Sequence, residues 1–168
     1  SIRRQRQMCI RDSHESLEVS RKNGFAAYVA AQDQFNLLER DYERTLQPTL
    51  VENSLSQLPY FGLARGFLTG KYRPGKSVDS MRAGGMSSYQ NERGWALLSK
   101  MDNLAEKYQT TVSAISLAWL RAQPSVAAPI ASARTLEQLK EIMPVVELSN
   151  EELQLSLIHI SEPTRPLY

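Results

Sequence analysis

The sequence has 168 residues, of which 42% are hydrophobic and 23% charged, a composition typical of a soluble domain with a core. No apolar run approaches the roughly 18 residues that a membrane span needs. The positive net charge arises in residues 1–13, which hold four arginines and one aspartate. The rest therefore lacks the clustered basic residues of a nucleic-acid surface. The single cysteine, Cys9, lies in the same stretch, which is compatible with a reducing cytoplasm.

Two terminal stretches differ from the rest of the sequence. RRQRQMCIRDS (residues 3–13) and LSLIHISEPTR (residues 155–165) resemble translations of sequencing-adapter DNA joined to a reading frame. We therefore expect residues 1–13 and 155–168 to be non-native segments around one domain, residues 14–154. The natural protein would then continue beyond both ends. The alternatives are a basic arm for anionic partners and a partner-binding tail.

The first predicted elements alternate between helix and strand. Residues 14–23 predict the end of a helix with a glycine stop. Residues 25–31 (FAAYVAA) have the length and composition of a buried parallel strand, which Gln32 ends. Residues 41–57 predict a helix that Pro48 interrupts, so the helix could instead begin near that proline.

A second short strand is predicted over residues 56–63, and we place its end at Tyr60. A glycine-punctuated basic loop, residues 64–72, follows it at once. Residues 73–89 are rich in Gly, Ser and Pro and predict a surface loop long enough to be a functional lid.

The following region predicts two amphipathic helices and a third strand. Helical spacing of apolar residues covers residues 91–108 and 111–122, with Trp95 and Trp119 on the faces expected to be buried. Residues 126–130 form the third apolar strand, in which a proline requires a position without a ladder donor.

The last elements complete the alternating order. Residues 136–143 predict a helix closed by Pro144, and Ser149 with Glu151 and Glu152 predicts the start of another. Strands that alternate with helices indicate a parallel α/β architecture.

Polar residues follow each of the three predicted strands: Gln32, then Tyr60 with its loop, then residues 131–135. Ligands of parallel α/β proteins bind at the carboxyl ends of strands, so these points predict a binding site. The sequence contains no GxGxxG, GxxxxGK[ST], GxSxG or HExxH motif, and we expect no metal site.

Three segments contain these strand ends: QDQFNLLER (residues 32–40), LPYFGLARGFLTGKY (58–72) and APIASARTLEQLKE (128–141). In the same order and spacing, they resemble three segments of the C-terminal half of aldo-keto reductases. The resemblance implies an α/β fold that is the C-terminal portion of a truncated (β/α)8 TIM barrel, with about three parallel strands, the sixth to eighth of eight. It also implies that NADP(H) lies over the strand ends, and that the full-length parent reduces a small aldehyde or ketone by hydride transfer.

The resemblance assigns roles to particular residues. Gln32 is similar to the residue that hydrogen-bonds the nicotinamide carboxamide, and Tyr60 to the ring that stacks on the nicotinamide. The basic loop resembles the segment around the pyrophosphate, where glycines admit the backbone and cations neutralise charge. Its implied ligand-binding residues are Leu63, Arg65, Gly66, Leu68, Gly70 and Lys71.

The third segment resembles the site for the adenosine phosphate and adenine, formed by Ser132, Arg134 and Gln138. An arginine beside a small polar residue suits a 2′-phosphate and favours NADP over NAD. Each assignment has a structural alternative: Gln32 as a strand-end cap, Tyr60 as a core residue, the loop as solvated, and Arg134 as a surface arginine beside a helix cap.

The sequence also departs from the family pattern. Tyr60-Phe61-Gly62-Leu63 stands where Tyr/Trp-Ser-Pro-Leu is usual, which removes a phosphate-side hydroxyl and loosens the turn. Ile142 stands where an adenine-contacting Asn is common, which we expect to weaken adenine binding. The catalytic Asp, Tyr, Lys and His of the family belong to the other half of the barrel, so none is assigned here.

The missing half has two expected consequences. The fragment alone would not catalyse the reaction, and its open strand edges would promote self-association. Two other functions remain open: a non-enzymatic regulatory subunit of the same fold, and a reading frame without function. An intact catalytic set upstream would support the reductase.

Overall fold

The computed structural model describes residues 10–75 and 87–158, so most of the predicted lid loop and the outer ends of the chain lie outside the described residues. The helices and strands, in chain order, are α1 (Ile10–Asn23), β1 (Ala30–Ala31), α2 (Asp41–Thr45), α3 (Gln47–Glu52), β2 (Ser56–Gln57), α4 (Glu92–Lys107), α5 (Val112–Arg121), α6 (Leu136–Ile142) and α7 (Asn150–Ile158). Two 3-10 segments, Ala64–Thr69 and Ser87–Tyr89, connect them.

Side-chain caps begin the helices of the C-terminal half. The Asn91 side chain accepts a hydrogen bond from the Gly94 N–H at the start of α4, and Thr111 accepts one from Ala114 at the start of α5. Thr135 does the same for α6. The predicted helices at 91–108, 111–122 and 136–143 are confirmed to within one residue at each end.

Proline divides the helical region that follows β1. In place of the helix predicted over residues 41–57 there are two short helices, α2 and α3, with the break at Leu46 and Pro48 in the first turn of α3. A proline lacks the N–H that a continuous helix would need at that point, whereas a first turn leaves that N–H unpaired anyway. The prediction is wrong for residues 53–57, which follow α3 and include β2.

The sheet is parallel, as predicted. β1 pairs with β2 through Ala30↔Ser56 and Ala31↔Gln57. The third predicted strand meets β2 only through the bridge Gln57↔Val126, although the Ile130 N–H also donates to the Pro59 carbonyl at 2.8 Å. The strand order is therefore β1, β2 and then residues 126–130, with the third segment attached as an irregular extended chain.

The predicted strand over residues 25–31 is wrong for its first five residues. Phe25, Tyr28 and Val29 are exposed by 64%, 53% and 79%, and only Ala30–Ala31 pair with a neighbour. An apolar run forms a buried strand only where other elements cover its faces and edges. Within the described residues β1 pairs with β2 alone, and nothing buries the start of the run.

The core lies between the helices and the segments that follow the two strands. Its largest fully buried side chains include Trp119, Tyr42, Phe35 and Phe67. Trp119 is a core residue, as predicted, whereas Trp95 is only partly buried and packs its ring 5.3 Å from that of Phe67. No helix in the described part of the chain is both long and apolar enough to span a membrane.

Candidate cofactor-binding groove

A groove of about 640 Å³ lies between the end of the β2 segment, the 3-10 segment Ala64–Thr69 and α6. It brings together residues that are far apart in sequence. Those among its lining that the sequence predicted as site residues are Tyr60, Leu63, Arg65, Gly66, Gly70, Lys71, Ser132, Arg134 and Gln138.

Two predicted site residues lie outside the lining of the groove. Gln32 is exposed at the end of β1. The two residues that follow it pair with Tyr60: the Asp33 carbonyl accepts a hydrogen bond from the Tyr60 N–H, and Gln34 forms a bridge with Tyr60. Leu68 is fully buried, so its side chain serves the core and not the groove. That Leu68 belongs to the cofactor site stays a prediction, and it would have to contribute through its backbone, since the 3-10 segment packs its side chain into the core.

The segment between Tyr60 and Lys71 has an unusual backbone. Phe61, Ala64 and Arg65 have φ values of +53°, +46° and +56°, and two glycines, Gly66 and Gly70, have +102° and +78°. A left-handed conformation costs a non-glycine residue about 1–2 kcal/mol. Such strain concentrates at functional sites, where the surrounding structure holds it in place.

Asn36 is part of what holds this segment. Its side chain is fully buried, and its Nδ2 donates to the Phe61 carbonyl at 3.0 Å. Its Oδ1 accepts from the Leu38 and Glu39 N–H groups at 2.9 and 3.0 Å. This amide thereby adds a side-chain link to the backbone pairing that joins the turn after β1 to the loop after β2.

Gly62 explains one departure from the family pattern. A Cβ at this position would lie 2.8 Å from Cδ1 of Leu120, a core residue of α5. The glycine therefore leaves room for the Leu120 side chain of α5 against the loop. The expectation that glycine loosens the turn does not take this packing into account.

The groove is positively charged on both sides. Arg65 and Lys71 line it from the loop and Arg134 from the segment before α6, and all three are exposed. Among the described residues none of the three forms an ion pair, and Glu141 is the one acidic side chain of the lining. Cations without carboxylate partners, beside glycine backbone, are suited to phosphate groups.

Tyr89 lies behind the loop and remains a hydrogen-bond donor. Its hydroxyl donates to Glu39 Oε1 at 2.6 Å. Burial, the hydrogen bond and the charge of Glu39 together raise the pKa of Tyr89 to about 12, although nearby Arg65 acts in the opposite direction. The hydroxyl therefore stays protonated at neutral pH.

The start of α6 forms a reciprocal cap. Thr135 Oγ1 accepts from the Gln138 N–H, while Gln138 Oε1 accepts from the Arg134 N–H at 2.9 Å. The amide of Gln138 thus already has a structural role. Hydrogen bonds from its own N–H and from Thr135 also lower the pKa of Glu137, which keeps a negative charge in this first turn.

Some lining residues carried no signal in the sequence. Ser113 and Thr69 contribute small polar groups, and Ile130 an apolar one. The Ser113 hydroxyl is buried and has no hydrogen-bond partner among the described residues. A serine in an apolar helix does not by itself indicate a binding site. Ser113 reaches the groove because α5 packs against the loop and α6, which the local sequence does not specify.

Metal binding has no obvious location in the described part of the chain. No group of three or more His, Cys, Asp or Glu side chains comes together there.

Comparisons with known proteins agree with one another. The model of the Aldo/keto reductase family matches residues 9–159. The chain is 27% identical to versiconal hemiacetal acetate reductase of Aspergillus parasiticus over 154 residues, which are 86% of this chain and 43% of that protein. It is 30% identical to the uncharacterized oxidoreductase YrpG of Bacillus subtilis over 138 residues, 82% of this chain and 41% of that one. The chain thus spans less than half the length of these curated relatives.

Solved structures give the same fold. The glycerol dehydrogenase AKR11B4 from Gluconobacter oxydans superposes with a TM-score of 0.68 at 23% identity, covering 94% of this chain and 57% of that one. The thermostable aldo-keto reductase Tm1743 gives a TM-score of 0.59 at 24% identity, with coverages of 83% and 42%. At these identities the likeness concerns the fold alone. The small parallel sheet with its flanking helices is consistent with the predicted portion of a TIM barrel.

Proposed function

Because the chain belongs to the aldo/keto reductase family, we propose that its groove binds NADP(H) for an enzyme that interconverts a small carbonyl compound and an alcohol. The observation that carries this proposal is the meeting, in one groove, of a tyrosine, a glycine loop with two cations, and a third cation beside α6. The relatives named a hemiacetal acetate reductase and a glycerol dehydrogenase fit chemistry of this class.

The groove residues fit the parts of this cofactor. Tyr60 would offer its ring to the nicotinamide. The backbone at Gly66 admits a close approach of the diphosphate, because the residue has no side chain and the nearest atoms to a Cβ there would be those of Lys71 at 4.0 Å. Arg65 and Lys71 would neutralise the diphosphate charge. When bound, the cofactor supplies the hydride.

The adenosine end would lie near α6. Ser132 and Arg134 are exposed in the lining, and an arginine fork suits the planar oxygens of a 2′-phosphate. This favours NADP over NAD. Ile142 would provide an apolar surface for the base in place of an amide.

In this proposal the described groove residues bind and orient the cofactor, and proton transfer to the carbonyl oxygen is the task of other residues. The resemblance places the catalytic Asp, Tyr, Lys and His outside the three matched segments. We therefore propose that residues 14–154, in the absence of these four catalytic residues, bind the cofactor but do not turn over substrate.

Titration of the full chain with NADPH and with NADH, followed by nicotinamide fluorescence, tests the proposal. We expect Arg134→Ala to weaken NADPH binding about 10-fold or more, because a charge-assisted hydrogen bond contributes about 1.5–3 kcal/mol. NADH lacks the 2′-phosphate, so its binding should be weakened far less by Arg134→Ala. Arg93→Ala removes an exposed arginine of α4 outside the groove and is the matched control.

Two outcomes would contradict this function. One is the absence of any NADPH binding by the unaltered chain. The other is an equal loss of NADPH and NADH binding in the Arg134→Ala variant, which would remove the role of Arg134 at the 2′-phosphate.

A further inference from the structure

The ring of Phe61 contacts two residues of the proposed cofactor site. Cζ of Arg65 is 4.7 Å from the centroid of the Phe61 ring. The centroid of the Tyr60 ring is 5.2 Å from that of Phe61, with an interplanar angle of 71°, an edge-to-face contact. Phe61 itself lines the groove and is 41% exposed. The residue that replaces the usual serine therefore contacts both an aromatic and a cationic member of the site.

The backbone of Phe61 is fixed from outside the loop. Its φ of +53° is unfavourable for a residue with a large side chain. Its carbonyl accepts hydrogen bonds from Asn36 Nδ2 at 3.0 Å and from the Ala64 N–H at 2.8 Å. Asn36 is fully buried, and its Oδ1 also accepts from the Leu38 and Glu39 N–H groups. The backbone from which the Phe61 ring projects is thus attached to the turn after β1.

Arg65 also lies near Tyr89. It is close enough to act on the ionisation of the Tyr89 hydroxyl, which donates to Glu39. The geometry that the proposal rests on is the contact between the Arg65 guanidinium and the Phe61 ring. The guanidinium is nevertheless exposed to the groove and forms no ion pair among the described residues.

On the basis of the proposed NADP(H) function, we propose that Phe61 is a positioning residue whose ring orients the Arg65 guanidinium toward the cofactor diphosphate. An arginine that is already ordered loses less side-chain entropy when it binds a phosphate than one that is free to rotate. The stacking contact thereby compensates for the hydroxyl donor that a serine at this position would supply. Phe61 acts through Arg65 and not by contact with the phosphate.

The test is a double-mutant cycle on NADPH binding by the full chain. Phe61→Leu keeps an apolar side chain but removes the aromatic face, and we expect it to raise the Kd for NADPH about 2- to 5-fold. Phe61→Tyr keeps the face and should bind within a factor of two of the unaltered chain. In an Arg65→Gln background, Phe61→Leu should have no further effect, because the guanidinium it orients is gone.

The outcomes separate this inference from the proposed function. If the unaltered chain does not bind NADPH, the proposed function fails and this inference with it. If it binds but Phe61→Leu leaves the Kd unchanged, or raises it by the same factor with and without Arg65, only the inference is overturned. Thermal unfolding of each variant identifies loss of folding. If Phe61→Leu lowers the midpoint of thermal unfolding, Phe61→Met, which has a flexible apolar side chain, takes its place in the cycle.

Discussion

At Gly94 a backbone contact, and not helix propensity, decides which residue the chain can accept. Gly94 is in the first turn of α4, where alanine would ordinarily be more favourable by about 1 kcal/mol. A Cβ at this position would lie 1.9 Å from the Tyr89 carbonyl oxygen and 3.1 Å from Cζ of Phe67. The same carbonyl accepts a hydrogen bond from the Asn91 N–H, so it is not free to withdraw.

We therefore expect Gly94→Ala to reduce the free energy of unfolding by about 1–3 kcal/mol, the usual effect of overpacking. Urea denaturation followed by circular dichroism measures the change. Ser99→Ala in the same helix is the control, because Ser99 is exposed and its substitution should stay within about 0.5 kcal/mol. A Gly94→Ala variant as stable as the unaltered chain would show that the Tyr89 carbonyl can move after all.

At the scale of elements, a buried carboxylate joins the start of α7 to the end of α4. Glu152 is 5% exposed and accepts hydrogen bonds from Lys107 Nζ at 2.9 Å, the Tyr108 hydroxyl at 2.6 Å and the Ser149 N–H at 2.7 Å. Burial opposes its ionisation, but these hydrogen bonds prevail and lower the pKa of Glu152 to about 2. The same contacts raise the pKa values of Lys107 and Tyr108.

The contribution of Glu152 to the stability of the protein should be lost in acid. A carboxyl whose pKa is lowered by folding stabilises the protein fully above its ordinary pKa of about 4.3, and the contribution is lost as the pH falls toward 2. At pH 7 we expect Glu152→Gln to cost about 1.5–3 kcal/mol, and the difference from the unaltered chain to shrink between pH 4.5 and 2.

Urea unfolding at several pH values measures this effect, with Glu151→Gln as the control. Glu151 is the exposed neighbour in the same first turn and should show little effect at any pH. A Glu152→Gln variant that is equally destabilised at pH 7 and pH 2 would place the effect in packing and not in charge.

The helices were more predictable than the strands, for a physical reason. A helix satisfies its own backbone, and residues such as Thr111 and Ser149 mark its start locally. A strand depends on neighbours that the local sequence does not specify. Residues 25–29 therefore look like a buried strand but are exposed, and residues 126–130 form only a bridge.

The same reasoning applies to the groove. The resemblance predicted Tyr60, Arg65 and Arg134 as site residues because their segments carry recognisable motifs, and the fold brings them to one groove. It could not identify Ser113, nor the supporting role of Asn36, because those depend on the packing of distant segments.

At the scale of the whole molecule, an exposed apolar surface surrounds the start of β1. Phe25, Tyr28 and Val29 are more than half exposed, and within the described residues β1 is paired on one side only. An unpaired strand edge with apolar side chains favours pairing with another chain. We propose that copies of this chain associate through that edge.

Sedimentation velocity over a range of concentrations tests the association. We expect Val29→Lys to shift the distribution toward monomer, because a charge on an edge opposes strand pairing. Val145→Lys is the control, since Val145 is equally exposed (78%, against 79% for Val29) but lies in the segment between α6 and α7. A chain that remains monomeric at high concentration, or an equal effect of both substitutions, would contradict association through β1.

The buried amide of Asn36 has a consequence for the transfer of the binding loop to other proteins. The left-handed turn at Phe61 depends on a side chain that precedes it by 25 positions, and the Phe67 ring of the same stretch packs 5.9 Å from that of Tyr89, which is bonded to Glu39. The contiguous stretch from residue 58 to residue 72 therefore does not encode its own shape. Grafted alone into a foreign scaffold, it should lose its conformation, whereas a graft that also includes the turn at residues 36–39 and the residues around Tyr89 carries the whole structural unit.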